Sequence, residues 1–149
     1  MGNITGVQLT PLKIIAGDTG SVLHALKQHE TSYNGFGEAY FSTVNHNVVK
    51  GWKRHRRMLL NIVVPSGAIA FMMYDGREDS DTFRQTQQVV LSQQNYHRLT
   101  VPPGVWMAFK GVSETTNMLL NIASIPHDPT EADSLPLHND VIPYNDFAV

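Results

Sequence analysis

The sequence predicts an all-β sandwich or barrel. Three observations carry this expectation. Short strand-like runs follow one another along most of the chain, turns rich in Gly, Pro and Asn separate them, and no segment longer than ten residues keeps a clean 3.6-residue period.

The elements follow in order. Residues 7–9 open the series and 12–15 extend it, ahead of an Asp18-Thr19-Gly20 turn and a short strand over 22–26. Residues 32–37 have loop composition. Residues 38–44 alternate, with Glu38, Tyr40, Ser42 and Val44 on one face. After the Asn45-His46-Asn47 turn, strands are expected over 48–53 and 59–64. Pro65-Ser66-Gly67 then turns the chain into 68–74, an apolar run that reads as a buried strand. A charged loop at 75–81 contains Asp75 and Arg77, expected to pair structurally. Further strands fall at 84–91, 95–100, 105–109 and 117–124. Beyond Pro126 the irregular mixture of Asp, Pro, Asn and His reads as a tail laid over the barrel. Neither an internal repeat nor a linker is visible, so residues 1–149 are expected to form a single domain.

Composition narrows the function classes. Cysteine is absent, which excludes disulfides and thiolate chemistry. Eleven basic residues against thirteen acidic ones argue against a nucleic-acid partner. No signal peptide is visible, and the apolar runs are strand-length, far below the roughly 20 residues of a membrane-spanning helix. A cytoplasmic protein with no membrane partner is expected. One segment breaks the charge balance: Lys50, Lys53, Arg54, Arg56 and Arg57 lie within eight residues, with His55 among them. It reads as a solvated face or as an anion site.

The middle and end of the chain resemble a known family. Val48-Val49-Lys50-Gly51-Trp52-Lys53-Arg54-His55 resembles the R-G-L-H-Y-Q stretch of dTDP-4-dehydrorhamnose 3,5-epimerases. Gly67-Ala68-Ile69, the run Tyr74-Asp75-Gly76-Arg77-Glu78-Asp79-Ser80, Leu91-Ser92-Gln93-Gln94-Asn95 and Val101-Pro102-Pro103-Gly104-Val105-Trp106 follow in the family's order. His127-Asp128-Pro129 and Asp140-Val141-Ile142-Pro143-Tyr144 complete the series. The resemblance implies a double-stranded β-helix, the jelly roll of the cupins, and a homodimer. It also implies a nucleotide-linked 4-keto-6-deoxy sugar as substrate and no metal or other cofactor. In that family a histidine base removes a proton beside the ketone and a tyrosine acts as acid from the opposite side. Here Lys53 matches the histidine position and Leu120 the tyrosine position, Lys50 matches the arginine of the central strand, and His24 matches a glutamate that follows the first glycine turn.

The residues themselves leave the roles open. A lysine serves as a base near neutrality only where desolvation or nearby cations lower its pKa from about 10.4, so Lys53 reads as base, ligand contact or solvated side chain. His55 is the more conventional base, or a satisfied histidine in a barrel. Tyr40 is a candidate substitute acid. Strand alternation puts Lys53 and His55 on one face and Trp52 and Arg54 on the other. Substrate contacts are expected from Lys50, Arg54, Arg57, Glu38 and His24, with Trp52 and Trp106 stacking on a base or sugar or packing in the core. A metal held by Glu38, His55 and Asn61 lacks ligand spacing and is not expected. The expected activity is epimerisation or isomerisation of a nucleotide-linked keto sugar. The alternatives are a catalytically silent binding dimer, or dehydration or cyclisation of another small molecule.

Overall fold

A computed structural model describes residues 2–149. In chain order the strands are β1 (Gln8–Pro11), β2 (Ile14–Gly17), β3 (Gly20–Leu23), β4 (Glu38–Val44), β5 (Val49–His55) and β6 (Leu60–Ser66). They continue as β7 (Ala68–Asp75), β8 (Thr86–Ser92), β9 (His97–Val101), β10 (Val105–Gly111), β11 (Asn117–Ala123) and β12 (Ala132–Ser134). The helical content among the described residues is one 3₁₀ turn at Tyr144–Asp146. Two five-stranded sheets form, ordered β1-β9-β6-β11-β4 and β12-β5-β10-β7-β8, with β2 and β3 making a separate hairpin. All pairings within them are antiparallel. This is the all-β jelly roll of the cupins, as expected.

The first core lies between the sheets and includes Ile62, Val64, Phe71, Met73, Leu99 and Leu119. A second lies on the outer face of the second sheet, where Trp52, Met72, Tyr74, Trp106 and Ala108 pack beneath Ile142 and Phe147 of the tail. The two cores explain why β7 is an unbroken apolar run. Its Phe71 and Met73 enter the first core and its Met72 and Tyr74 the second, so both faces are dry. The tail is fixed by backbone bonds between Leu135 and Trp52, and the Trp52 indole N–H donates to the Leu137 carbonyl at 3.1 Å. The tail also supplies β12, which residues 132–134 give no sequence reason to expect; it forms because β5 offers it a free edge.

Simple alternation fails in the middle of β5. Lys53 pairs with Met107 and Lys50 with Phe109, so three steps on β5 oppose two on β10. This bulge turns Lys50 and Lys53, an odd number of residues apart, toward the same cavity. Gly51 permits it: a Cβ there would lie 2.2 Å from the Ala108 Cβ.

Candidate functional site

A cavity of about 320 Å³ opens at one end of the space between the sheets. Met58, Leu60, Ile62, Val101, Met107 and Phe109 give it an apolar interior. Its polar side chains come from facing walls: Tyr40, Ser42 and Asn121 from the first sheet, and Lys50, Lys53 and His55 from the second. Ser134 of the tail completes the rim.

His55 is held from behind. Its Nδ1 bonds to the carboxylate of Glu131, which is almost fully buried. A carboxylate only accepts, so Nδ1 carries the hydrogen, and in the neutral ring that tautomer leaves the lone pair on Nε2. The other Glu131 oxygen accepts the backbone N–H groups of Arg57 at 3.0 Å, Arg56 at 3.2 Å and Met58 at 3.3 Å. Burial pushes the Glu131 carboxyl up. The Arg57 and Met58 N–H groups and the His55 ring outweigh that and hold it below its ordinary value. Glu131 therefore stays ionised beside the imidazole.

On the opposite wall Tyr40 and Asn121 are direct cross-strand partners, and the Asn121 amide donates to the phenol oxygen at 3.0 Å. Lys50 donates to the Thr43 carbonyl at 2.6 Å. No hydrogen bond or ion pair engages the Lys53 side chain among the described residues.

The structure brings Lys50, Lys53, His55 and Tyr40 together at this cavity, with Trp52 at its border, and it places the other expected residues elsewhere. Trp52 borders the cavity, but its ring lies against Phe147 and Tyr144 in the second core. Trp106 also belongs to that core, under the Arg54 guanidinium at 4.6 Å. Both rings thus pack in the second core, and of the two only Trp52 also lines the cavity among the described residues. Arg54 and Arg56 share Asp133 of β12, and exposed Arg57 lies 3.8 Å from Asp128. Two tail carboxylates thus pair with the three arginines away from the cavity, and the Lys and Arg side chains lining the cavity itself are the two lysines. Glu38 begins β4 outside the cavity wall, and half-buried His24 follows the β2–β3 hairpin. Leu120 points away from the cavity, since Leu119 and Asn121 are the β11 residues that line it. Asn61 is engaged by the Ser32 carbonyl and the Thr100 hydroxyl, and no group of three His, Asp or Glu among the described residues is arranged to hold a metal.

Sequence reasoning missed Glu131 and Asn121. The one available signal for Glu131 was charge: Asp128, Glu131 and Asp133 form an acidic run matching the basic run of β5.

The family model described as dTDP-4-dehydrorhamnose 3,5-epimerase matches residues 2–142. This chain belongs to that family. A dTDP sugar isomerase from Desulfovibrio desulfuricans has the same fold with a TM-score of 0.91 at 39% identity, covering 94% of this chain and 90% of that one. A probable low-salt glycan biosynthesis epimerase of Haloferax volcanii is 28% identical over 147 residues, 97% of this chain and 91% of that protein. The spore coat polysaccharide biosynthesis protein SpsL of Bacillus subtilis is 25% identical over 144 residues, 95% of each. As a member of the 3,5-epimerase family the protein is an enzyme of the sugar-nucleotide epimerase and isomerase type. No helix among the described residues is long and apolar enough to cross a membrane.

Proposed function

We propose that the protein transfers a proton at a carbon beside the ketone of a nucleotide-linked 4-keto-6-deoxy sugar, with His55 as general base. The observation that carries this is the His55–Glu131 pair at the edge of an apolar cavity. Nε2 takes the proton, the C–H electron pair moves into the enolate, and the ketone oxygen becomes an oxyanion. Glu131 compensates the imidazolium as it forms, as the carboxylate of a catalytic triad does. The unengaged ammonium of Lys53 meets the oxyanion, which makes it an electrostatic partner rather than the base. Return of a proton from Tyr40, on the opposite wall, inverts the carbon; return from His55 only exchanges the hydrogen. Lys50, the second lysine lining the cavity, is the contact for the anionic diphosphate in this reading. The Desulfovibrio relative, described as a dTDP sugar isomerase, supports a dTDP-linked substrate. We further propose that residues 1–149 act as one domain, in the cytoplasm, as a homodimer.

The test is solvent hydrogen exchange. Incubation with dTDP-4-keto-6-deoxyglucose in deuterated buffer should place carbon-bound deuterium beside the ketone, read by mass spectrometry and proton NMR. His55→Ala should slow this by about 10²–10⁴-fold. Glu131→Gln, which removes the charge that fixes the tautomer, should slow it by about 10²-fold or more. Label equal in wild type and His55→Ala would remove His55 as the base.

A further inference from the structure

Asn121 sits on β11 between Tyr40 of β4 and Ile62 of β6, its direct cross-strand partners, and all three border the cavity. It is only 3% exposed. Its Nδ2 donates to the phenol oxygen of Tyr40, and its Oδ1 is buried with no hydrogen-bond partner among the described residues. Buried amide oxygens are nearly always paired, so an unpaired one on a cavity wall points to a donor that arrives with a ligand. The bond to Tyr40 also has a direction. A phenol oxygen that receives an N–H must send its own hydrogen elsewhere, and no protein acceptor takes it. What remains for it is the cavity that Tyr40 borders and the solvent at its mouth, Tyr40 being 46% exposed.

We propose that Asn121 has two tasks in the reaction: its nitrogen positions Tyr40 so that the phenolic proton faces the substrate, and its oxygen accepts a hydrogen bond from a sugar hydroxyl. This rests on the reading of His55 as base and extends it to the opposite face of the reacting carbon. Asn121 is a positioning residue for Tyr40 and a contact residue for the sugar. It makes inversion, rather than simple exchange, depend on a side chain that itself transfers no proton. The arrangement also accounts for a half-exposed tyrosine at the cavity edge serving as acid: the buried amide restricts the phenol to one orientation.

The experiment measures two quantities with dTDP-4-keto-6-deoxyglucose in deuterated buffer. One is the partition between inverted product and substrate recovered with label but unchanged configuration. The other is KM. Asn121→Asp is nearly isosteric but replaces the donor with an acceptor that binds the phenolic hydrogen. It should lower the inverted fraction at least tenfold while His55-dependent exchange continues. Asn121→Ser should lower the inverted fraction likewise and raise KM several-fold. Tyr40→Phe should reproduce the loss of inversion with KM little changed, and adding Asn121→Asp to Tyr40→Phe should lower inversion no further. Circular dichroism and thermal melting confirm that each variant is folded. Wild-type partition in Asn121→Asp, or additive losses in the double variant, would overturn the assignment to Asn121 and leave His55 as base. Wild type without His55-dependent exchange would overturn both.

Discussion

Asp75, the last residue of β7, is fully buried, and its carboxylate receives Arg77 Nε at 2.8 Å and the hydroxyls of Ser80 and Thr82 at 2.6 Å each. Burial would raise its pKa; the guanidinium and the two hydroxyls outweigh that and hold the carboxyl far below its ordinary value of 3.8. A depressed folded pKa stabilises the protein above the ordinary value, and that stability disappears as pH falls through the folded value. Asp75→Asn should therefore cost about 3 kcal/mol at neutral pH, because it strands a partly buried guanidinium. The gap between wild type and variant should shrink as pH drops below 3.8, measured by urea unfolding across an acid series. A constant gap would show that packing, not charge, is what the substitution removes. Asp75 and Arg77 are two residues apart, which is why their pairing was legible in the sequence. The His55–Glu131 pair spans 76 residues and was not. A contact of that range depends on how the tail crosses β5, and the acidic run at 128–133 marks a charge match to β5 without fixing which carboxylate meets His55.

Among the elements, those with one clear period were readable. Residues 38–44 alternate, and β4 does present Tyr40 and Ser42 to the cavity. The apolar run of β7 was readable as buried, though that it separates two cores was not. β5 resisted because its alternation is interrupted. Pure period-2 reasoning assigns Lys50 to the face of Trp52 and Arg54, whereas the bulge returns it to the face of Lys53. The only sequence mark of that interruption is Gly51, whose missing Cβ leaves room for Ala108. Gly51→Ala should thus destabilise the protein by about 1–3 kcal/mol through overpacking. If the bulge slips to relieve the clash, Lys50 leaves the cavity and affinity for dTDP falls. Melting temperature and dTDP titration calorimetry read the two effects. Unchanged values in both would mean that β5 and β10 separate freely at this point.

Across the whole molecule, one pair of strands among the described residues stands outside both five-stranded sheets. The β2–β3 hairpin belongs to neither sheet, and its cross-strand pair Ile15 and Val22 is 53% and 57% exposed. A two-stranded hairpin is marginal on its own in water and needs a surface to pack on. Ile14 of the same hairpin and Leu9 of the neighbouring edge strand β1 are also exposed, so the apolar character continues from the hairpin to a sheet edge. An uncovered edge of that kind invites pairing with another chain. A second copy related by a two-fold axis covers the feature twice with one contact, the commonest solution among soluble oligomers. Sedimentation at micromolar concentration should therefore give about twice the 16.6 kDa mass of the chain. Charges placed at the pair, Ile15→Asp with Val22→Asp, should shift the mass toward a monomer. The sheets should remain intact in that variant, because neither residue enters either core. A wild-type monomer at all concentrations would refute the dimer. A dimer unaffected by the two aspartates would move the interface away from the hairpin.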